Sequence, residues 1–315
     1  MIAVVHHPDY LAQPRSTPPY QPGKNALIRD LLQESGRAVD WIEPELMPIA
    51  WLEAVHDPAY VAEVVEARVP ALKERRIGFG VTQAVARRAQ RVPGGTFLAG
   101  LIAMQRGFAA NSAGGSHHAL AGTGAGYCVF NDLAVAAVRL TQAGHARRVL
   151  VVDCDVHQGD GTAALTAGRA DIATYSIHAE KNFPARKARS TIDVGLADGT
   201  GDDLYLRVLG DTLRPLIDDF GPDLLLYQAG VDPFVHDRLG RLALSQAGLD
   251  ARDRLVAALA RERGIGLAST PGGGYGPDAR EIARRHVQSI FTLGEALANF
   301  VPIAASRVED GRARV

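Results

Sequence analysis

Cysteine is nearly absent: Cys128 and Cys154 are the only two in 315 residues. That excludes a disulfide framework and a cysteine-rich metal site, and both sit among apolar neighbours where reduced core thiols are expected. No apolar stretch is long enough for a membrane span. The start, MIAVVHHPDY, lacks the charged and apolar regions of a signal peptide, so a cytoplasmic location is expected. Charge of one sign is not in excess: 34 Lys and Arg stand against 35 Asp and Glu, a net charge of −1, which argues against a general nucleic-acid binder. No internal repeat or low-complexity linker breaks the chain. The arginines of 75–91 read as a solvated helix face rather than a nucleic-acid patch.

What is present is an alternation of apolar strands and amphipathic helices. Strands are expected at 2–5, 149–152, 171–178, 223–229 and 265–269. Helices are expected at 25–35, 51–67 (with Pro58 near its start), 75–91, 95–110, 132–141, 202–218, 249–263 and 278–300. Residues 6–22 read as a long irregular loop. Such alternation predicts an α/β fold of three αβα layers around a central, mostly parallel sheet. The chain reads as one domain over 1–306, with a polar tail at 307–315 that is expected to be disordered.

The polar constellations fall just after expected strands, where an open α/β sheet gathers its site. In VLVVDCDVHQGDG (149–161), alternation along an extended strand would put Asp153, Asp155 and His157 on one face. Two buried carboxylates beside one histidine need a cation, and Asp and His are common zinc ligands. The alternative is a strand that frays into solvent with its acids hydrated. Asp232, which also ends an apolar strand, is the candidate third ligand beside Asp155 and His157. Two aspartates and a histidine leave an open position, as a catalytic zinc requires, and the ion would acidify a water and polarise a carbonyl. His117 and His118, adjacent on a glycine-rich loop, could then exchange protons with that water and with a leaving amine, although two neighbouring histidines alone are more often chance or core residues. Asp153 and Asp160 could stand behind those rings and fix their tautomers. Tyr275, after three glycines, could hydrogen-bond a developing oxyanion or be an ordinary turn residue.

Five segments in this order resemble the zinc-dependent histone deacetylases and their bacterial relatives: GGSHHA (114–119), GYCVFND (126–132), DCDVHQGDG (153–161), AGVDPFVHDRLG (229–240) and GGGYG (272–276). Residues 76–96 and 180–203 look most like the class IV, deacetylase-11-like branch. The resemblance implies the arginase/deacetylase fold and a zinc amidohydrolase that removes acetyl or longer acyl groups from acyl-lysine proteins or peptides. It implies Asp155, His157 and Asp232 as zinc ligands. His117, backed by Asp153, would be the general base. His118, backed by Asp160, would be the acid or electrostatic partner, and Tyr275 the carbonyl-polarising group. Gly126, Tyr127, Phe183, Leu239 and Gly273 would contact substrate. A structural potassium would sit on Asp153, Asp155, His157, Ser176 and Ile177, largely through backbone oxygens. The class IV likeness also suggests acceptance of fatty acyl groups.

Gln158 departs from the family pattern, standing where many members have a second histidine, and Pro271 stands where a fourth glycine is common. Three other readings stay open. A deacetylase of acetylpolyamines or other small acylated amines would need an acid at the tunnel mouth, for which Asp9, Asp57 and Asp237 are candidates. A non-catalytic acyl-lysine binder would need neither His117 and His118 nor Tyr275. An arginase-like dimanganese site would need an aspartate where Gly159 stands. No membrane or direct nucleic-acid partner is expected.

Overall fold

The computed structural model describes residues 1–14 and 23–303. Eight strands form one sheet: β1 (Ile2–Val5), β2 (Val39–Ile42), β3 (Phe108–Asn111), β4 (Val149–Asp153), β5 (Ile172–Ala179), β6 (Ile192–Leu196), β7 (Leu224–Gln228) and β8 (Gly266–Thr270). Their order is β2-β1-β3-β8-β7-β4-β5-β6, and every neighbouring pair is parallel.

Helices cover both faces: α1 (Lys24–Glu34), α2 (Ile49–Glu53), α3 (Pro58–Val65), α4 (Ala71–Ile77), α5 (Gln83–Arg106), α6 (Asp132–Gln142), α7 (Asp160–Leu165), α8 (Asp202–Phe220), α9 (Gln246–Glu262) and α10 (Ala279–Ala296). The period of two along each strand sorts the core. Leu150, Val152, Leu225 and Tyr227 pack with residues of α1, α8, α9 and α10 on one face. Val149, Val151, Leu224 and Leu226 pack with α5 and α6 on the other. Among the described residues no helix is long and apolar enough to cross a membrane.

This is the expected αβα architecture, with local differences. Three strands were not foreseen. β2 and β6 are the two edges of the sheet, short and half-exposed, and β3 has the sequence FAAN, whose small residues read as the end of a helix. The helix expected over 51–67 is two, α2 and α3, because Asp57-Pro58 restarts the chain: Pro58 sits at a first-turn position where its missing N–H is harmless. Helices expected at 75–91 and 95–110 are instead α4, ending at Gly78, and a 24-residue α5 that runs through Pro93. Its Arg91 is not solvated: it is buried and bonded to Asp9 at 3.1 Å and to the carbonyl of Pro44 at 3.0 Å. Within 6–22, Pro8–Leu11 forms a 3-10 turn, whereas 15–22 and the tail 307–315 lie outside the described residues.

Candidate metal centre and catalytic residues

The four central strands, β3, β8, β7 and β4, are adjacent, and the loop leaving each carries part of the site: 112–118, 271–275, 229–232 and 154–160. Parallel strands end on the same side of the sheet, so residues more than a hundred positions apart meet there.

The D-x-D-x-H segment is not an extended strand, which corrects the alternation argument. β4 stops at Asp153. Asp153 Oδ1 then accepts the N–H of Asp155 at 3.0 Å, and Asp155 Oδ1 accepts the N–H of His157 at 3.0 Å. Each aspartate thus bonds the backbone two residues on, a local turn that competes with the sheet ladder and curls the chain. Curling, not pleating, brings Asp155 and His157 to one point.

Asp155, His157 and Asp232 each offer a ligand atom within 4.8 Å of the others, and all three are buried. His157 Nδ1 lies 3.0 Å from Asp155 Oδ1 and 3.1 Å from Asp232 Oδ2. The remaining carboxylate oxygens are held by backbone: Gly273 N–H donates to Asp155 Oδ2 at 2.8 Å, and Val156 N–H to Asp232 Oδ1 at 2.9 Å. Both carboxylates are therefore fixed, each with its second oxygen turned toward the His157 ring. Burial works to lower the pKa of His157, but the bonds and charges of Asp155 and Asp232 outweigh it and hold the ring up to about 10. Burial and the neighbouring Asp155 charge push the Asp232 carboxyl up. Two buried carboxylates facing each other mark a place for a cation, and a hard oxygen pair with one imidazole nitrogen is a donor set that zinc accepts. The residues fit a divalent metal.

Each of the tandem histidines has an aspartate behind it. His117 Nδ1 meets Asp153 Oδ2 at 2.7 Å and His118 Nδ1 meets Asp160 Oδ1 at 2.6 Å. Their ring centroids are 4.0 Å apart, and that of His118 lies 5.9 Å from that of His157. For His117, burial lowers the pKa, but Asp153 and Asp155 raise it to about 9. For His118, burial and then the charge of His117 lower it to about 3, against Asp160. Tyr275 packs edge-on to His157, with centroids 6.2 Å apart. Burial, then Asp155 and Asp232, push its hydroxyl well above its ordinary value, so it stays protonated as a donor.

Phe183 stacks edge-on against His118 at 4.8 Å, and Tyr127 lies 5.9 Å from Tyr275. Gly126 has φ +52°, and a Cβ there would stand 2.6 Å from the His118 ring, so any side chain would fill the space beside that ring. A Cβ on Gly273 would stand 2.0 Å from Asp232 Oδ2, which makes glycine obligatory under the metal group. Leu239 is tied to the segment before Phe183 by its carbonyl, which accepts Asn182 Nδ2 at 2.7 Å. Of the residues expected around potassium, Asp153 and Ser176 are register partners across β4 and β5, Ile177 follows in β5, and Ser176 Oγ pairs with His178 Nδ1 at 3.0 Å.

Several residues that hold the site carried no local signal. Asp132 accepts the N–H groups of Gly115 (3.1 Å) and Ser116 (2.7 Å), shaping the histidine loop. Gln228 bonds the carbonyl of Gly115 at 2.9 Å. Arg252, fully buried on α9, donates through Nη1 to the carbonyls of Gly230 (2.6 Å) and Cys154 (3.3 Å), tying the two ligand loops together, and its Nε meets Asp253 at 3.0 Å. Gln158 bonds the carbonyl of Ala188 (3.0 Å) and Asp193 (2.6 Å), fastening the segment that carries Phe183. Of the three acids considered for the mouth, Asp237 accepts the N–H groups of Tyr275, Leu239 and Gly240, and Asp9 pairs with Arg91, while Asp57 is exposed at the start of α3. A cavity of about 120 Å³ opens beside the metal group, lined in part by Phe79, Val85, Ala89, Val92, Lys24 and Tyr275. Lys24 Nζ donates to the carbonyl of Gly272 at 2.6 Å.

A parallel sheet whose central strands deliver two buried aspartates and a histidine, flanked by two histidine–aspartate pairs, has the build of a metal-dependent deacetylase. The histone deacetylase domain profile matches residues 18–291, and the chain belongs to that family of amide-cleaving enzymes. It is 41% identical over 285 residues to an uncharacterized protein of Picosynechococcus, covering 90% of this chain and 95% of that one. It is 31% identical to histone deacetylase 2 of Arabidopsis thaliana, over 78% of this chain and 63% of the relative, and 29% identical to the acetoin utilization protein AcuC of Bacillus subtilis, over 75% and 67%. The acetylpolyamine aminohydrolase structure from Burkholderia pseudomallei superposes with a TM-score of 0.76 at 24% identity, covering 94% of this chain and 99% of that one; this likeness is one of fold.

Proposed function

We propose that the chain is a zinc-dependent deacylase that hydrolyses the amide of an acyl-lysine side chain. One observation carries this reading: two histidine–aspartate pairs and a protonated tyrosine surround one buried group of cation ligands. Zinc on Asp155, His157 and Asp232 would, when bound, acidify a water and polarise the scissile carbonyl.

The chain's own residues do the rest. With a cation neutralising Asp155, that carboxylate no longer holds His117 charged, and the ring, backed by Asp153, accepts a proton from the attacking water. Before that transfer, with His117 neutral, burial opposes protonation of His118 and Asp160 favours it; the proton His118 then holds goes to the leaving amine as His117 takes the one from water. Tyr275 donates to the carbonyl oxygen as it gains charge. A pure acyl-lysine binder would need none of these three groups. A structural potassium on Asp153, Asp155, His157, Ser176 and Ile177 would brace the same turn. The apolar lining of Phe79, Val85, Ala89 and Val92 supports acceptance of acyl groups longer than acetyl.

The test is hydrolysis of fluorogenic acetyl- and myristoyl-lysine peptides and of acetylated polyamines, with and without a zinc chelator. Chelator-sensitive turnover of the lysine peptides is expected. Turnover of polyamines alone would move the assignment to a small-amine deacetylase, and faster acetyl than myristoyl turnover would remove the long-chain preference.

A further inference from the structure

Resting on the deacylase reading, we propose that the mouth of the site is a basic collar that selects acyl-lysines embedded in acidic sequence. Three segments frame the aromatic wall, and each carries exposed cations. The first is the C-terminal turn of α4: Arg75 and Arg76 are exposed, and the Arg76 carbonyl accepts the N–H of Gly126 at 3.1 Å, the glycine whose Cβ would stand 2.6 Å from the His118 ring. The second is the segment after Phe183, where Arg186 and Arg189 are exposed and Lys187 folds back onto the carbonyls of Asn182 and Pro184 (2.6 and 2.8 Å). The third is the 236–241 turn, where the exposed Arg238 donates its backbone N–H to the carbonyl of Tyr275 at 3.0 Å.

Among the described residues, no acid pairs with Arg75, Arg76, Arg186, Arg189 or Arg238. The nearby acids are committed elsewhere: Glu74 to the N–H of Val81, Asp237 to three backbone N–H groups, Asp160 to His118 and Asp198 to Arg241. Glu180 and Asp57 are exposed, and Asp193 is bonded to Gln158 and to the N–H of Ser190; these bonds hold the acids in place and leave their charge to oppose the arginines from a distance. Five exposed arginines with no acid partner among the described residues thus stand on the segments that frame the aromatic wall. Such a field attracts anionic substrates and repels a cationic polyamine.

The test is fluorescence anisotropy of the zinc-loaded protein with three labelled acetyl-lysine peptides of equal length, flanked by Asp/Glu, by Ser/Gly or by Lys/Arg. The acidic peptide is expected to bind about tenfold tighter than the basic one at 0.05 M salt and about twofold tighter at 0.5 M, where exposed charges are screened within a few ångströms. The Arg186→Glu, Arg189→Glu double variant is expected to erase the preference, with Arg186→Gln, Arg189→Gln intermediate. Hydrolysis of the Ser/Gly peptide, run alongside, reads the deacylase assignment separately. Equal binding of all three peptides, or binding of none, would overturn the collar whatever the hydrolysis shows. Tighter binding of the acidic peptide without hydrolysis would keep the collar and remove the deacylase reading. Displacement of the acidic peptide by a short DNA strand at equal concentration would reassign the collar to nucleic acid.

Discussion

At the scale of single residues, the candidate site works by fixing protons. Tyr275 is buried beside two carboxylates, so it remains a neutral donor, and the account asks of it only that it meet developing negative charge. Tyr275→Phe should therefore lower kcat about 10²- to 10³-fold while leaving bound zinc at one per chain. A fall of less than about threefold, measured with an acetyl-lysine peptide, would remove the tyrosine from the chemistry. A second histidine acts only in the framework. His56 is buried with Nδ1 against the carbonyl of Leu120 (3.0 Å) and Nε2 accepting the N–H of Asn131 (3.0 Å), which specifies the neutral ring. Burial, partly opposed by backbone bonds, lowers its pKa to about 4. The unfolded chain takes up a proton near pH 6.5, whereas the folded one resists until about 4. Its contribution, about 3 kcal/mol, is thus complete above pH 6.5, falls away between 6.5 and 4, and is flat below. His56→Gln should flatten the decline of Tm across that window relative to the parent; parallel Tm curves would contradict this.

Chain segments show what could be read in advance and what could not. The site residues were legible because their chemistry is dense in sequence: Asp153, Asp155, His157 and Asp160 fall within eight positions, and His117 and His118 are adjacent. Their backbone path was not. Alternation treats Asp153–His157 as pleated, but side-chain oxygens took the N–H groups that a strand would have given to its neighbours. The edge strands β2 and β6 escaped notice because a short, half-exposed strand has little apolar signal to show. The supports Arg252, Gln228 and Asp132 escaped because their bonds link remote positions, as from Arg252 to Cys154. Arg252 gives the sharpest prediction at this scale, since a single guanidinium joins the loops that carry Asp155 and Asp232. Arg252→Met leaves Asp253 buried without its cation and should cost about 3–5 kcal/mol of stability. It should also weaken zinc about 10- to 100-fold, as loss of an outer support does. An Arg252→Met protein of lowered Tm but parental zinc affinity would confine the residue to folding.

For the whole molecule, topology and charge cooperate. Four parallel strands, adjacent in the sheet but drawn from residues 108 to 270 of the chain, end their loops at one place. The fold thus assembles three buried acids and three buried histidines that could not otherwise be buried together, and a bound cation would supply the positive charge the group lacks. The segments that carry the proposed collar bond through their backbone to loops of the same end, as Arg76 does to Gly126 and Arg238 to Tyr275. The central claim, that Asp155, His157 and Asp232 hold the metal on which hydrolysis depends, is tested most directly by titrating zinc into chelator-stripped protein. Bound metal and turnover of an acetyl-lysine peptide are followed in the same samples. The account predicts that both rise together and saturate at one zinc per chain, and that Asp232→Ala abolishes both at micromolar zinc. Full turnover by the stripped protein, or saturation of Asp232→Ala with parental affinity and rate, would contradict it.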